Sequence, residues 1–415
     1  MNRLDPQYLQ PPNASAPLNV DVVVVGGGPA GATAADDLAR KGYSVVLLDR
    51  AGRIKPCGGA IPPRAMKDFL IPDAMLVAHA TKARMISPTN HKVDIPIENG
   101  FVGLVDRCTF DEWLRSRAAS HGATRRIGIF KHLEHQDDGS AIVHFEERRC
   151  AEESASFPAQ IRARAVIGAD GAKSEVARQN VKDAEKTKYV SAYHEIIQTP
   201  EHPPEDYEAS RCDVYYNGSM SPDFYGWVFP HGNTASIGVG SAVKGFSLRN
   251  ATSLVRKAAG LEHAETLRRE GAPIPLKPLR YWDNGKNVVL AGDAAGVVAP
   301  ASGEGIYYAM AGGRMAADAV DAFLKTGQAK CLKQARKQFM KEHGRVFFVL
   351  GMLQYFWYSS DKRREKFVKI CEDKDVQTLT FEAYMNKKLV RKKPMAHVRI
   401  FLKDMAHLLG IAKAH

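Results

Sequence analysis

The feature that most constrains the fold is a valine-rich segment that runs directly into a glycine-rich turn. Five of the six residues at positions 20–25 are valine, and Gly26, Gly28 and Gly31 follow in a Gly-x-Gly-x-x-Gly pattern. β-branched side chains favour a strand, and a strand this apolar is typical of one buried on both faces of a sheet. From Ala30 onward, a run of small residues predicts a helix that packs closely on this strand. The segment therefore predicts the strand–turn–helix unit of an α/β domain.

The glycines of this turn suit a bound dinucleotide. Gly26 permits the tight turn, Gly28 lets backbone N–H groups approach a pyrophosphate, and Gly31 lets the helix pack on the strand. A second predicted strand at 44–48 ends at Asp49, whose carboxylate is placed to accept from a ribose hydroxyl. Strand, turn, helix, strand and acid in this order favour a dinucleotide over a purely structural glycine turn. They leave FAD and NAD(P) both open.

Size and composition predict an ordinary globular protein. The 415 residues suffice for two or three domains, with 45% hydrophobic and 25% charged residues. Six cysteines without CxxC spacing predict free thiols in a reducing compartment on the cytoplasmic side. Nothing resembles a secretion signal, and no metal-binding motif is present, so we expect no metal. Residues 1–18 contain four prolines and predict a disordered lead.

The positive charge is concentrated near the C-terminus. Of a net charge of +12, residues 361–415 supply +7, with 14 Lys or Arg and 7 Asp or Glu. No DNA-reading module accompanies them, which favours an anionic membrane surface over nucleic acid. The most apolar segment, 346–358, would reach only about 20 Å as a helix, against a hydrocarbon core of ~30 Å. It predicts an interfacial helix, one wall of an apolar cavity, or a core helix.

Two further positions could carry chemistry near the first turn. Cys57 precedes Gly58 and Gly59, and adjacent glycines let the backbone come close to a flat or bulky group. The Cys57 sulfur could be a proton donor, a thiolate or a packing atom. Arg107 stands just before a predicted helix that runs to about residue 121. It could reach a cofactor phosphate or ring edge, or be a solvated charge at the helix start.

Two later strands also end in an acid and a glycine. Residues 165–168 form an apolar run that leads into Asp170 and Gly171, and residues 286–291 lead into Gly292 and Asp293. In α/β sheets, ligands bind at the carboxyl ends of the strands, so both turns are candidate cofactor contacts. A second glycine-rich segment at 303–306 opens a long helix, and a helix N-terminus favours an anionic group. An acid this far from the first turn suits the polyol chain of FAD better than a nicotinamide cofactor.

The region 189–283 differs from the rest in its dense aromatic residues. Short strand patterns alternate with turns, and one helix is predicted at about 247–259. The pattern predicts a mainly antiparallel sheet inserted into the α/β domain, with one aromatic face. Its aromatic residues could form the core of this sheet or line a pocket for a large apolar substrate.

Together these segments resemble the p-hydroxybenzoate-hydroxylase-like flavoproteins. The resemblance rests on the Gly26–Gly31 turn, Asp170-Gly171, and Gly292–Gly296 with Gly303–Ile306. Within that superfamily, Cys57-Gly58-Gly59 and the segment Tyr-Gly-Trp-Val-Phe-Pro at 225–230 resemble the geranylgeranyl reductases. The segments 356–364 and 395–401 resemble the pigment branch, the geranylgeranyl-(bacterio)chlorophyll reductases of phototrophs. The resemblance extends over roughly residues 18–410.

The resemblance implies a role for individual residues. The expected cofactor-binding residues are Gly26, Gly28, Ala30, Gly31, Asp49, Gly58, Gly59, Arg107, Asp170, Gly171, Gly292, Asp293, Gly303, Glu304, Gly305 and Ile306. Among them, Asp49 would hold the adenosine ribose, Arg107 the flavin nucleotide and Asp293 the ribityl and phosphate region. Asp170 and Gly171 would serve FAD and transient NADPH docking. Tyr225, Trp227 and Phe229 would line the substrate pocket, and Cys57 is the candidate catalytic proton donor. Many relatives have Glu where this chain has Asp49, which keeps the same chemistry with a shorter reach.

The function implied is reduction by FAD and NADPH of three isolated double bonds of a geranylgeranyl chain, giving phytyl. The substrate would be a (bacterio)chlorophyll or geranylgeranyl diphosphate, and the protein would lie on the cytoplasmic side, peripheral to the photosynthetic or inner membrane. One alternative is a flavin monooxygenase or halogenase of the same fold, and another is a non-catalytic prenyl-lipid carrier. The segment at 225–230 and the intact FAD signatures favour the reductase.

The fold class expected is α/β, with a Rossmann-like FAD-binding domain, an inserted α+β substrate domain and a helical tail. The FAD-binding domain is predicted to be discontinuous, at 19–84, 104–187 and 284–345. The substrate-binding domain would comprise 85–103 and 188–283. Residues 346–415 would form a helical, basic C-terminal region.

Overall fold

A computed structural model describes residues 17–51, 54–98, 100–385 and 387 of the chain. Its strands are β1 (Leu18–Val25), β2 (Val45–Asp49), β3 (Ala60–Ile61), β4 (Ala78–Ala80), β5 (Lys82–Ile86), β6 (Lys92–Pro96), β7 (Val102–Leu104), β8 (Thr124–His135), β9 (Ala141–Glu147), β10 (Phe157–Gly168), β11 (Tyr189–Gln198), β12 (Arg211–Tyr215), β13 (Gly226–His231), β14 (Thr234–Ser241), β15 (Thr266–Pro275) and β16 (Val288–Leu290). Its helices are α1 (Pro29–Arg40), α2 (Pro63–Phe69), α3 (Arg107–Ser120), α4 (Glu175–Asn180), α5 (Leu248–Ala258), α6 (Ile306–Thr326), α7 (Lys333–Trp357), α8 (Asp361–Ile370) and α9 (Lys374–Met385).

The chain divides into two compact units. The first takes the residues up to Gly59 together with Val105–Tyr193 and Glu270–Phe347. The second takes Ala60–Leu104, His194–Arg269 and the residues from Phe348 onward. These units differ from the sequence-based domains at 60–84, 104, 188–193 and 270–283, and the predicted C-terminal region is divided between them after Phe347. The domain division stays a prediction. The predicted disordered lead, apart from its last two residues, and the signature segment at 395–401 lie outside the described residues.

The first unit contains a parallel sheet in the order β8-β2-β1-β10-β16. Val22–Val25 of β1 and Val45–Leu48 of β2 are buried, because strands in the middle of such a sheet are covered on both faces. The predicted α/β class is therefore confirmed. All of the strand-end turns predicted to bind a cofactor follow strands of this one sheet.

Strands β8 and β10 are the long strands that connect the parallel sheet to β9. Each has 12 residues, and each extends past the parallel sheet to pair with β9 in an antiparallel meander. Only the last four residues of β10, at 165–168, are continuously buried, which agrees with the apolar run in the sequence there. The turn between β8 and β9 contains Gly139, at φ 83°.

Helices α1 and α6 pack against each other at very short range. A Cβ added to Gly313 of α6 would lie 2.2 Å from the carbonyl oxygen of Ala30 in α1, far inside any tolerable contact. Small residues therefore occupy the interface on both helices, as the alanine- and glycine-rich sequences predicted. This packing positions the turn after β1 and the turn after β16 within one unit.

The second unit carries most of a seven-stranded sheet in the order β15-β11-β14-β13-β12-β5-β6. The pairs β12–β13, β13–β14 and β5–β6 are antiparallel, whereas β12 and β5 are parallel. One face of the sheet carries an aliphatic core that includes Val228, Ile237 and Val255 of α5. The predicted, mainly antiparallel inserted sheet is confirmed, and β5 and β12 form a parallel pair within it. A three-stranded sheet, β3-β7-β4, and helices α2, α8 and α9 also belong to this unit.

Candidate cofactor and active site

The turn between β1 and α1 needs glycine at two positions and leaves space at a third. Gly26 has φ 107°, and a Cβ there would lie 2.3 Å from the carbonyl oxygen of Ala169. A Cβ at Gly31 would lie 1.8 Å from the carbonyl oxygen of Gly26. A Cβ at Gly28, in contrast, meets no atom within 4 Å. Gly26 and Gly31 are thus required by packing, while Gly28 faces open space.

The N-terminus of α1 is built to accept an external anion. Gly28 is the N-cap residue, Pro29 opens the helix, and no side chain among the described residues caps its first turn. The backbone N–H groups of a first helical turn lack partners within the helix and carry partial positive charge. The open space at Gly28 and this uncapped helix therefore fit the pyrophosphate of a dinucleotide.

Asp49 lies at the end of β2, beside this turn. Its Oδ2 accepts from the backbone N–H of Gly27 at 2.8 Å, and its Oδ1 accepts from that of Ala51 at 2.9 Å. Arg115 of α3 donates to the carbonyl oxygen of Gly27 at 3.2 Å and lies 4.0 Å from the Asp49 carboxylate. The sequence analysis did not identify Arg115. Each carboxylate oxygen retains a lone pair, so a ribose hydroxyl remains compatible with these contacts.

The turn after β10 contacts the turn after β1 through Ala169, against which Gly26 packs. Its acid, Asp170, accepts from Ser174 Oγ at 2.5 Å and from the backbone N–H of Glu175 at 2.7 Å, which holds the start of α4. Burial raises the pKa of the Asp170 carboxyl, against hydrogen bonds that lower it. Gly171 has φ 91° and open space at its Cβ position. Asp170 thus has a structural task that the sequence did not reveal.

The turn after β16 contacts the start of α1 at Ala30. A Cβ added to Gly292, which has φ 63°, would lie 2.6 Å from the Ala30 side chain. The neighbouring Asp293 is almost fully buried, and its Oδ2 accepts from Lys55 Nζ at 2.6 Å. The three turns predicted from separated signatures therefore converge, with Gly26 and Ala30 as the shared contacts.

The glycine-rich segment at 303–306 folds into a tight loop before α6. The Gly303 N–H donates to the carbonyl oxygen of Ala299, and the Ala299 N–H donates to that of Glu304, both at 2.9 Å. Glu304 Oε1 accepts from the backbone N–H of Tyr307 at 2.9 Å, so this carboxylate caps the helix. Gly305 is the N-cap residue, and Ile306 is the first residue of α6.

Arg107 is buried in an ion pair, which contradicts the alternative of a solvated charge. Its guanidinium donates to both carboxylate oxygens of Asp111, at 2.8 and 2.7 Å. It also contacts the thiol of Cys57, and Asp111 and Cys57 raise the pKa of Arg107 although burial opposes its charge. The backbone N–H of Gly59 points to the Cys57 sulfur at 3.4 Å. Cys57 is half-buried, between two hydrogen-bond donors.

In the second unit, an aromatic row is formed by Tyr225, directly before β13, and by Trp227 and Phe229 of β13. The ring centres of Tyr225 and Trp227 lie 6.1 Å apart, and those of Trp227 and Phe229 lie 6.3 Å apart. Tyr225 and Trp227 are buried, and Phe229 is partly exposed. The row continues through Tyr216, whose ring centre is 6.2 Å from that of Tyr225, and burial raises the pKa of its hydroxyl well above the ordinary value.

The C-terminal half of α7 is divided between two environments. Val346, Phe347 and Trp357 are buried, whereas Phe348, Met352 and Tyr355 are 67%, 53% and 85% exposed. The segment predicted at 346–358 belongs to a longer helix than expected. None of the helices in the described part of the chain combines the length and the apolar character that a membrane span requires.

Comparison with known proteins identifies the dinucleotide. A family model described as "FAD binding domain" matches residues 19–341, which takes in all three converging turns. The fold and the site thus define an FAD-binding protein.

Relatives define the family more closely. The geranylgeranyl diphosphate reductase of Rhodobacter capsulatus is 58% identical over 95% of this chain and 98% of that protein. The chloroplastic geranylgeranyl diphosphate reductase of Arabidopsis thaliana is 35% identical over 94% of this chain and 85% of that protein. The structure of a geranylgeranyl bacteriochlorophyll reductase-like protein from Thermoplasma acidophilum superposes with a TM-score of 0.79, at 22% identity, over 92% of this chain and 100% of that one. The chain belongs to the geranylgeranyl reductase family of FAD-binding oxidoreductases, which favours the reductase over the halogenase and carrier alternatives.

Proposed function

We propose that the protein uses NADPH and FAD to reduce three of the four double bonds of a geranylgeranyl chain, in the biosynthesis of (bacterio)chlorophyll. The observation that carries this proposal is the 58% identity, over nearly the full length of both chains, to a geranylgeranyl diphosphate reductase. The chain would act on geranylgeranyl diphosphate or on a geranylgeranylated pigment. NADPH is the expected donor by family resemblance.

The residues of the first unit fit FAD. The space at Gly28 and the uncapped first turn of α1, which contains Ala30 and Gly31, suit the pyrophosphate. Asp49 would accept from the adenosine ribose. In the turn after β16, Asp293 would accept from ribityl hydroxyls. Lys55 Nζ, 2.6 Å from the Asp293 carboxylate, would offer a positive charge to a phosphate.

The remaining predicted contacts are backbone contacts for the most part. Gly171 and Gly292 would allow close approach of the cofactor, and Gly58 and Gly59 would face the flavin ring. The loop from Gly303 to Ile306 would face the pyrimidine edge. Because Arg107 is already bound to Asp111 and Cys57, we propose that it supports Cys57 rather than a cofactor phosphate.

Reduction of an isolated alkene requires a hydride at one carbon and a proton at the other. Bound FAD supplies the hydride, which it receives from NADPH. We propose that the Cys57 thiol supplies the proton, because it lies beside the two glycines expected at the flavin. Arg107 would then stabilise the negative charge left on the sulfur, and bulk water would return the proton. An unpolarised alkene needs tight positioning and exclusion of water. We propose that the apolar row of Tyr225, Trp227 and Phe229 binds the prenyl chain.

An anaerobic assay tests this function. Purified protein would be incubated with NADPH and, separately, with geranylgeranyl diphosphate or a geranylgeranylated pigment. We expect products heavier by two, four and six hydrogens by mass spectrometry, and slower turnover with NADH. No hydrogen uptake with either substrate contradicts the proposal, and a product that forms only with oxygen favours the monooxygenase.

The role of Cys57 needs a separate variant. Cys57→Ala should retain FAD absorbance but lose most of the alkene reduction, while flavin reduction by NADPH continues. Cys108→Ala is a matched control, because Cys108 is an exposed thiol of the same unit. Unchanged turnover in Cys57→Ala removes this residue from the mechanism.

We further propose that the exposed face of α7 docks on an anionic lipid surface, where a twenty-carbon chain is found. Phe348, Met352 and Tyr355 follow one another at helical spacing and are all more than half exposed. The Arg363 guanidinium of the basic helix α8 lies 4.4 Å from the ring centre of Phe356, which brings positive charge next to this face. Charge complementarity therefore favours anionic lipid as the occupant.

Vesicle flotation of the full chain tests this surface. Wild-type protein should float with phosphatidylglycerol vesicles and less with phosphatidylcholine, and a Phe348→Ser, Tyr355→Ser double variant should float several-fold less. Leu254→Ser, at an exposed apolar residue elsewhere in the second unit (43% exposed), is the control. Equal flotation of all three proteins excludes this face, as does concentration-dependent dimerisation that the double variant abolishes.

A further inference from the structure

The indole of Trp227 is held by a buried chain of hydrogen bonds within the second unit. Trp227 lies on β13, Ser236 on β14 and His194 on β11, three neighbouring strands of one sheet. Trp227 Nε1 is 3.1 Å from Ser236 Oγ, and Ser236 Oγ is 2.9 Å from His194 Nδ1. The exposed fractions of these three residues are 6%, 0% and 3%. These hydrogen bonds therefore lie in the interior, directly beside the aromatic row.

The direction of the hydrogen bond from Trp227 to Ser236 follows from the chemistry of the indole. An indole N–H can only donate, so the Ser236 hydroxyl oxygen accepts from Trp227. The hydroxyl keeps one proton and one lone pair, so it pairs with His194 Nδ1 in either tautomer of the ring. Trp227 Nε1, Ser236 Oγ and His194 Nδ1 therefore all have hydrogen-bond partners, which buried polar atoms require to be stable.

This hydrogen bond is not a necessary consequence of burying a tryptophan. Trp282 is 0% exposed, and its Nε1 has no hydrogen-bond partner among the described residues. The protein thus buries the Trp282 indole without an acceptor but provides one for the Trp227 indole.

We propose that Ser236 and His194 are positioning residues that fix the plane of the Trp227 indole and so set how far a prenyl chain advances along the aromatic row. The inference rests on the proposed function. A geranylgeranyl chain presents several similar alkenes in succession, and complete reduction needs each one to be seated in turn. The indole lies between Tyr225 and Phe229, and its hydrogen bond prevents rotation about the bond that joins the ring to Cβ.

The predicted effect is on how completely the chain is reduced. Ser236→Ala removes the acceptor, so partly reduced products, with two or four added hydrogens, should accumulate relative to phytyl. The shift in their ratio should be about two- to tenfold, the factor that one ordinary hydrogen bond provides. Ser236→Thr keeps a hydroxyl and should restore the wild-type ratio, a rescue that loss of packing alone does not predict.

Two comparisons separate positioning from a loss of stability. Ser241→Ala is the matched control, because Ser241 is a buried serine on the same strand whose hydroxyl donates to Asp223 at 2.6 Å. Its product ratio should stay at the wild-type value even where its melting temperature falls. Trp227→Phe should itself shift the ratio, and adding Ser236→Ala to it should produce no further change.

The possible results divide clearly. A wild-type product ratio in Ser236→Ala overturns the inference, as do additive effects of Ser236→Ala and Trp227→Phe, because Ser236 would then act without the indole. If Ser236→Ala does not fold, Trp227→Phe still tests the N–H donor, and an unchanged ratio there overturns the inference. Wild-type protein that adds no hydrogen contradicts the proposed function and this inference together, whereas normal reduction with an unchanged ratio contradicts the inference alone.

Discussion

Replacing Gly28 with alanine should separate cofactor binding from folding. Gly28 has φ −76°, a value that any residue adopts, and a Cβ at this position meets no atom within 4 Å. Alanine therefore fits the protein itself. We expect the free energy of unfolding to change by about 1 kcal/mol or less, the range of N-cap preferences.

The effect on FAD should be much larger. The added methyl group occupies the space through which the pyrophosphate would reach the first turn of α1. Loss of a single hydrogen bond to a charged group amounts to about 1.5–3 kcal/mol. That loss raises the dissociation constant for FAD by about ten- to a hundredfold.

Alanine substitutions at two other glycines serve as controls for this experiment. Gly31→Ala places a Cβ 1.8 Å from the carbonyl oxygen of Gly26, so the fold itself should be destabilised. Gly100→Ala meets its nearest atom, of Pro63, at an ordinary 3.5 Å and should leave both properties unchanged. Fluorescence titration of the apoprotein with FAD and thermal melts measure the two effects. Wild-type FAD affinity in Gly28→Ala, or a loss of stability as large as in Gly31→Ala, would refute the reasoning.

Two further predictions concern charge. Asp111→Asn leaves the buried Arg107 uncompensated and should lower the free energy of unfolding by about 3 kcal/mol, whereas the half-exposed Glu112→Gln should lower it by about 1 kcal/mol or less; equal effects in a urea titration would contradict this. Arg84 lowers the pKa of Asp94 below 3.8, so this exposed pair stabilises the fold by about 1 kcal/mol or less above that pH and loses its contribution as the pH falls through the lowered pKa. The difference between wild type and Asp94→Asn should therefore vanish in acid, and a difference that persists there would contradict the assignment.

The strand-end turns were predictable because their determinants are local. A valine-rich strand, a glycine and an acid follow one another within a few residues, and Gly26 and Gly292 have the positive φ that such turns require. The aromatic row at 225–229 was predictable for the same reason, since alternate residues of a strand share one face. The identity of the cofactor came from three such turns together.

The partners of the charged residues were not predictable, because they depend on distant parts of the chain. Lys55 and Asp293 are 238 residues apart in sequence, and no pattern marks either one as the partner of the other. The sequence left open whether Arg107 is a solvated charge at the helix start, although Asp111 lies one helical turn away at a spacing that favours an ion pair. Arg115 carries no motif and would have been found only from its position two turns further along the same helix.

The contacts of Ala30 have a consequence for how the protein is made. Gly292 and Gly313, the two glycines that pack against Ala30, are synthesised long after the turn that they support. A nascent chain that has exposed only its first β-α-β segment therefore lacks the residues that pack against Ala30 in the complete protein. We therefore expect FAD to bind only after residues 292–313 have been synthesised and packed against Ala30, and not to an N-terminal fragment folding alone.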